Sequence, residues 1–264
     1  MNTLHHLKSE TWETVEELPL SKESLIMLLE NRIPVITIKQ FATIEECAAL
    51  VTQANLLEFG FYQNVSPKIE RIGITVFEYD KVDKGKYFKA VEQANAVQHS
   101  LISKSFNPLK RIIAKIQECT GETVRSAFEP LYGNYYVGLM RKIERGTQLH
   151  IDYAPAEQPN WEVGNVVAQL SWNLYLKISS SDQGKTYIYN RQWYPKDEVY
   201  RLDYYGYSNA VVVDVDKTMF QPYVGDVVIF NTRNYHTVEP IDGYRVTFTS
   251  AIGLLPSGEI IFWS

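Results

Sequence analysis

Three residues far apart in the sequence carry side chains that could hold one metal ion. His150 and Asp152 are two positions apart in an alternating segment, residues 148–153, so in a β-strand both side chains point to the same face. His236 follows much later in the chain. Two imidazoles and one carboxylate can bind Fe(II) on one side and leave its other coordination positions open. The pattern predicts a metal site made of His150, Asp152 and His236.

An anion-binding pair follows the last of these residues. Arg245 and Thr247 share one face of the next predicted strand. A planar guanidinium binds a carboxylate through two parallel hydrogen bonds, which a lysine ammonium group cannot do. A dicarboxylate with an α-keto acid end could therefore chelate the metal at one end and be bound by Arg245 and Thr247 at the other.

The composition is that of an ordinary globular protein. The chain has 264 residues, with 26 Lys plus Arg against 31 Asp plus Glu and a net charge of −5, so it has no general attraction for nucleic acid. No apolar run approaches the roughly 18 residues of a membrane span, and the N-terminus has no signal-peptide core. We expect a soluble, cytoplasmic protein in which Cys47 and Cys119 are free thiols.

Helical patterns dominate the N-terminal part. Helices are predicted over residues 21–31, 43–55, 87–104 and 107–121, with a short strand over 34–38. Their boundaries are marked by Ser21, by Thr43 with a glutamate three residues later, and by Asn107 followed by Pro108, while Gly121 ends the last helix. The aromatic segment 56–88 could be a lid over a pocket or could pack in the core, and the sequence leaves both open.

From residue 124 the apolar pattern changes to the two-residue period of strands. The predicted strands are residues 133–143, 148–153, 166–178, 185–190, 210–215, 226–231, 236–240, 244–253 and 258–263. A succession of short strands favours a double-sheet jelly roll, and the preceding helices would buttress one sheet. We therefore predict a mainly β protein with N-terminal helices (α+β), as one domain over 1–264: a mainly helical part, 1–123, and a jelly-roll core, 124–264.

The motifs resemble those of the Fe(II)/2-oxoglutarate-dependent oxygenases with a double-stranded β-helix core. His150-Ile151-Asp152, His236 and Arg245-Val246-Thr247 match that superfamily's HxD, distal His and Arg-x-Ser/Thr pattern. Within it, residues 143–146, 225–231 and 260–264 are similar to the hapalindole-type halogenases and the N-substituted amino-acid hydroxylases. The resemblance implies a cupin-like fold, Fe(II) as metal, and 2-oxoglutarate and O2 as cosubstrates, with release of succinate and CO2.

Asp152 distinguishes this chain from the halogenases that it resembles. They carry Gly at this position, which frees a place on the iron for chloride, whereas a carboxylate fills it. The resemblance thus implies a hydroxylase that acts on an amino acid, an amino-acid derivative or a natural product. Desaturation or cyclisation at the same centre is the enzymatic alternative, and a non-catalytic cupin-like binding protein is the other. Arg245 favours an enzyme, because a simple binding module does not need a carboxylate clamp there.

The resemblance also suggests supporting residues. Leu174, Thr186 and Met140 would face the cosubstrate. The candidates for substrate contact are Tyr153, Trp161, Arg191, Phe230 and Asn231. We do not expect His5, His6 or His99 to bind metal, since none has a partner at ligand spacing. The expected partner is a small-molecule substrate, without nucleic acid or membrane, and a homodimer is left open.

Overall fold

The computed structural model describes residues 12–79 and 83–264. His5, His6 and most of the N-terminal segment that we expected to be extended lie outside these ranges. Within the described ranges the α-helices are α1 (Lys22–Leu29), α2 (Ile44–Ala54), α3 (Lys84–Ile102), α4 (Pro108–Thr120) and α5 (Ala154–Glu157). The first four correspond to the predicted helices.

The sequence signals at the helix ends form the expected contacts. The Thr43 hydroxyl accepts a hydrogen bond from the Glu46 N–H, and the Glu46 carboxylate accepts one from the Thr43 N–H, which completes a capping box. Asn107 caps α4 and Pro108 is its first residue. Gly121 ends α4 with φ 74°, a left-handed conformation that glycine adopts without strain.

Fifteen strands are present in the described part of the chain. They are β1 (Leu18–Pro19), β2 (Val35–Ile38), β3 (Gly60–Phe61), β4 (Glu70–Ile72), β5 (Val124–Ser126), β6 (Phe128–Glu129), β7 (Gly133–Asn134), β8 (Leu139–Ile143), β9 (Ala168–Ile178), β10 (Thr186–Gln192), β11 (Lys217–Phe220), β12 (Val227–Asn231), β13 (Asn234–Val238), β14 (Arg245–Leu254) and β15 (Ile260–Trp263).

Two facing sheets form the jelly roll. The major sheet has the order β1-β2-β12-β9-β14-β8-β4-β3, with β15 and β5 continuing from β14, and the minor sheet has the order β11-β10-β13. Apart from the β1–β2 and β15–β5 pairs, which are parallel, the strand pairs of both sheets are antiparallel. The fold class predicted from the sequence is confirmed.

The major sheet is buried on both faces and packs against two separate cores. Its outer face packs against the helices; Trp172, Ile229 and Phe248 lie there with Leu50 and Ile112. Its inner face packs against the minor sheet through Tyr175, Val228 and Phe230, which meet Ile188 and Phe220. Alternate residues of each strand therefore contribute to opposite cores.

Three predicted strands were wrong in part. Residues 133–143 divide into β7 and β8, with residues 135–138 between them outside any strand. Residues 209–212 form a 3₁₀ helix, with Val211 and Val212 buried against Tyr207 and Tyr235, and the strand of this region lies later, at β11. A short apolar run does not by itself distinguish a strand from a buried turn. In segment 148–153 only His150 pairs, as an isolated antiparallel bridge.

Cys47 and Cys119 are free thiols, as expected, and burial raises the pKa of Cys47 to about 11. Among the described helices, none is both long enough and apolar enough to span a membrane.

Candidate metal centre

The two histidines meet on the minor sheet. His236 is in β13, and the backbone of His150 extends that sheet by pairing with it through two hydrogen bonds. Directly paired residues of an antiparallel ladder project their side chains to the same face. The two imidazole rings accordingly lie 4.1 Å apart between centroids, and both are buried.

Each histidine ring is oriented by a carbonyl two residues earlier in its own strand. Nδ1 of His150 lies 2.8 Å from the Gln148 carbonyl oxygen, and Nδ1 of His236 lies 2.9 Å from that of Asn234. A carbonyl oxygen can only accept, so each Nδ1 carries the proton and Nε2 keeps its lone pair. This is the arrangement that prepares an imidazole to bind a metal through Nε2.

Asp152 supplies the carboxylate. Its Oδ2 lies 3.6 Å from His236 Nε2, and one ligand atom each from His150, Asp152 and His236 lie within 4.8 Å of one another. Burial, and then the proximity of His236, lowers the pKa of His150 to about 3. Burial acts to raise the pKa of Asp152, but His236, His150 and Arg141 together bring it below its usual range. At neutral pH His150 is therefore uncharged and Asp152 is ionised, which are the states that bind metal.

An inner cavity of about 420 Å³ lies between the sheets beside this triad. Arg245, Thr186 and Thr247 line it, as predicted, and so does Phe230. Arg245 is buried, its Nη1 donates to the Gly184 carbonyl at 2.9 Å and to the Thr186 hydroxyl at 3.3 Å, and its Nε has no partner among the described residues.

The donor set and the cavity fit Fe(II) and 2-oxoglutarate. Two neutral imidazoles and one carboxylate on one face are suitable ligands for Fe(II). A buried guanidinium with an unsatisfied N–H is costly unless an anion binds to it, and the distal carboxylate of a dicarboxylate would satisfy it. Arg245 and the triad line the same cavity, which is the arrangement that a chelating dicarboxylate requires.

An outer cavity of about 850 Å³ adjoins the inner one, and Asp152 and Arg141 line both. Part of the aromatic segment 56–88 lines it: Tyr62 and Phe77 are on its wall, and Phe77 packs against Tyr205 of the segment between β10 and β11. Two other rings of that segment pack in the core around Trp161. Those rings are Tyr87 and Phe88.

Several predicted contacts lie elsewhere. Met140 and Leu174 belong to the outer core of the major sheet, against the helices, so the face assigned to these two residues was wrong. The inward residues of the same strands are Leu139, Arg141, Ile143, Ser171, Asn173 and Tyr175.

Four of the five candidates for substrate contact are not on either cavity wall. Tyr153 packs near Trp193, and Trp161 is buried in an aromatic cluster. Arg191 forms an ion pair with Asp197, and the Asn231 side chain donates to the Leu28 carbonyl. Contacts outside the two cavities hold these four side chains. His99 is exposed on α3 and far from the site in the fold.

Arg141, Tyr62 and Tyr205 are on the outer cavity wall but were missed from the sequence. Arg141 had a detectable signal, because it is a charged residue at the same parity as the apolar residues Leu139 and Ile143 of β8. Tyr62 and Tyr205 lie in irregular segments without a period, so no pattern indicated which way their rings point.

Sequence comparison finds one matching family model and two related proteins. Residues 13–257 match the family model described as "Carrier-protein-independent halogenase WelO5". The leucinostatins biosynthesis cluster protein S of Purpureocillium lilacinum is 36% identical over 218 residues, which cover 76% of this chain and 88% of that protein. The L-gamma-glutamyl-L-propargylglycine hydroxylase of Streptantibioticus cattleyicolor is 32% identical over 132 residues, about half of each chain (49% and 48%).

Structure comparison gives the same fold. The N-substituted L-amino acid dioxygenase of Burkholderia ambifaria AMMD, solved in complex with α-ketoglutarate, matches with a TM-score of 0.62 at 13% identity. The match covers 92% of this chain and 90% of that one.

Proposed function

The chain belongs to the family described as "Carrier-protein-independent halogenase WelO5", within the Fe(II)- and 2-oxoglutarate-dependent oxygenases, and from that premise we propose that this protein is a hydroxylase. Its substrate is an amino acid, an amino-acid derivative or a related natural product. The observation that carries the proposal is the carboxylate of Asp152 beside the two paired histidines.

His150, His236 and Asp152 hold the iron in this proposal. When bound, Fe(II) couples the oxidative decarboxylation of 2-oxoglutarate by O2, to succinate and CO2, to oxidation of a C–H bond of the substrate. The protein contributes orientation: the Gln148 and Asn234 carbonyls keep both Nε2 atoms free to bind.

Arg245, Thr247 and Thr186 hold the distal carboxylate of 2-oxoglutarate. Arg245 is buried and fixed by its two hydrogen bonds, so its remaining N–H groups are preorganised. The guanidinium carbon lies 5.6 Å from the centre of the Tyr175 ring, which excludes water from that side.

Asp152 favours hydroxylation over halogenation. The halogenases that the sequence resembles have a glycine in its place, and the freed position on the iron takes chloride. Here a carboxylate that is ionised at neutral pH occupies that position, so chloride has no equivalent place to bind. One sequence relative is named for this outcome, the L-gamma-glutamyl-L-propargylglycine hydroxylase.

The substrate class rests on the same relatives. One acts on an L-γ-glutamyl-L-propargylglycine and the other on N-substituted L-amino acids. The outer cavity is the place where such a molecule would bind, because it adjoins the metal triad through Asp152 and is lined by both polar and apolar side chains.

The test measures turnover with a panel of candidate substrates. The protein, loaded without oxygen with Fe(II) and 2-oxoglutarate, is mixed with O2, sodium chloride and, separately, free L-amino acids, N-acetyl L-amino acids and L-γ-glutamyl dipeptides. We expect one class to stimulate succinate release and to give a product that contains one oxygen atom from isotopically heavy O2. A chlorinated product would contradict the hydroxylase assignment, and succinate release that no panel member stimulates would contradict the substrate class.

A further inference from the structure

Arg141 is a cation at the boundary of the two cavities, near Asp152 but in no direct ion pair with the described residues. Its Nη2 donates to the Thr249 hydroxyl at 3.2 Å, its Nε is buried with no partner among the described residues, and it forms no ion pair with them. A guanidinium has five N–H donors, so most of the hydrogen-bonding capacity of Arg141 is unused by the protein.

The neighbouring strand carries an arginine that has a carboxylate partner. Arg71 pairs in register with Arg141 across the β4–β8 ladder. Its Nη2 lies 2.6 Å from the Glu78 carboxylate, which is almost fully buried, and its Nη1 donates to the Gly73 carbonyl. Two arginines therefore face each other, and only Arg71 has a carboxylate.

Two tyrosines lie beside Arg141. Tyr62 and Tyr205 line the outer cavity with it, and neither hydroxyl has a hydrogen-bond partner among the residues that the structure describes. Tyr205 also packs on the His150 ring, with centroids 4.5 Å apart. The guanidinium and the two hydroxyls form a cluster of unused donors next to the candidate metal site.

We infer that Arg141, with Tyr62 and Tyr205, binds a carboxylate group of the substrate in the outer cavity. The inference rests on the proposed function and makes its substrate class narrower: the molecule must carry a free carboxylate close to the carbon that is oxidised. A carboxylate accepts two parallel hydrogen bonds from one guanidinium and has lone pairs left for both phenols.

The position of the phenols favours the substrate over 2-oxoglutarate as the source of this carboxylate. Tyr62 and Tyr205 line the outer cavity and not the inner one, where Arg245 lies. In the proposed function, Arg245 holds one carboxylate of 2-oxoglutarate and the metal holds the other, so neither is left for Arg141. Asp152 is a metal ligand in the same proposal and is likewise not available as its counter-ion.

The variant Arg141→Met tests whether Arg141 binds the substrate or stabilises the fold. Methionine keeps much of the volume but removes the charge, and a cation that is partly buried without an anion destabilises the empty protein. We therefore expect a thermal unfolding temperature equal to that of the wild type or higher. Lys142→Gln is the matched control, because it removes a charge from the next residue, on the opposite face of β8, where Lys142 pairs with Glu70.

The binding experiment is calorimetric titration of protein loaded with Mn(II) and 2-oxoglutarate, a state without turnover. The probes are N-acetyl derivatives of aliphatic, aromatic and acidic L-amino acids, each as the free acid and as the primary amide. We expect at least one acid to bind roughly 30-fold more tightly than its amide, as hydrogen bonds to a charged group allow. Arg141→Met should abolish that preference and leave the affinities for Mn(II) and 2-oxoglutarate within about threefold, while Lys142→Gln should keep it.

Three outcomes would overturn the inference: equal binding of acids and amides, no binding of any free acid, or an acid preference that Arg141→Met retains. A loss of 2-oxoglutarate affinity in Arg141→Met would assign the carboxylate to the cosubstrate instead. A failure of the inference can be told apart from a failure of the proposed function. The proposed function fails if wild-type protein, supplied with Fe(II), 2-oxoglutarate and O2, forms no succinate in response to a substrate.

Discussion

His150 and His236 are joined to each other through both backbone hydrogen bonds of a single antiparallel bridge. The His150 N–H donates to the His236 carbonyl at 3.0 Å, and the His236 N–H donates back to the His150 carbonyl at 2.9 Å. Two of the three candidate ligands are thus positioned by the backbone itself, before any ion binds. The site is an example of side chains preorganised by the sheet that carries them.

This relationship predicts that metal removal will leave the fold intact. Chelator-treated protein should keep its far-ultraviolet circular dichroism, and Mn(II) should raise its thermal unfolding temperature, because a ligand that binds only the folded state stabilises it. His236→Ala should lose both the Mn(II)-induced rise and substrate-stimulated succinate release. His99→Ala, which changes an exposed histidine, is the control and should retain both. Metal-dependent succinate release by His236→Ala at the wild-type rate would contradict the ligand assignment.

Arg245→Gln should weaken 2-oxoglutarate binding by roughly 10²-fold, since the distal carboxylate would lose a charged, bidentate partner inside a buried cavity. Calorimetric titration of the Mn(II)-loaded protein measures the effect directly. Arg125→Gln removes an arginine that is partly exposed and paired with Glu259, and it should bind 2-oxoglutarate like the wild type. Unchanged affinity in Arg245→Gln would show that the carboxylate clamp is elsewhere.

The sequence was sufficient to identify residues whose side-chain type and spacing together indicate one role. His150, Asp152 and His236 are residue types that bind metal, and strand alternation indicated that the first two share a face. Arg245 was identified because a guanidinium at a fixed distance after the distal histidine has a specific use. Thr43 was identified because a capping box is formed by residues close in sequence, so no tertiary information is needed.

The sequence was insufficient where a strand is buried on both faces. In β8 and β9 both faces are buried, one against the helices and one around the cavities, so the apolar residues alone do not tell which face meets the cavity; the polar side chains of Ser171 and Asn173 lie on the cavity face. Met140 and Leu174 were assigned to the wrong face for this reason, and Arg141 was overlooked beside Met140. Tyr205 could not be found at all, because its loop is held over His150 by contacts between residues distant in sequence.

Gly253→Ala should destabilise the protein by about 1–3 kcal/mol through overpacking. A Cβ at this position of β14 would lie 2.5 Å from Cγ1 of Val166 and 2.6 Å from the Trp263 ring, both in the core. Gly60→Ala is the control, because the nearest atom to its added Cβ is 3.9 Å away. Urea unfolding followed by circular dichroism measures both variants. Equal midpoints for the two would contradict the close packing of β14 against β15.

Glu46 gives the stability a predictable dependence on pH. Hydrogen bonds from Arg111, at 2.8 and 2.5 Å, hold the pKa of the Glu46 carboxyl below its ordinary value of 4.5, against the opposing effect of burial. A carboxyl whose pKa is lower in the folded state stabilises that state above its unfolded pKa, and the contribution is lost as the pH falls through the folded pKa. Glu46→Gln keeps a side chain that can complete the capping box but removes the charge.

We therefore expect the free energy of unfolding of the wild type to exceed that of Glu46→Gln by about 1 kcal/mol or less at neutral pH, since the pair is partly exposed. The difference should stay constant down to about pH 5 and then shrink as Glu46 becomes protonated in both states. Urea unfolding of the two proteins across this pH range measures it. A difference that grows as the pH falls would mean that Arg111 does not stabilise the charged form of Glu46.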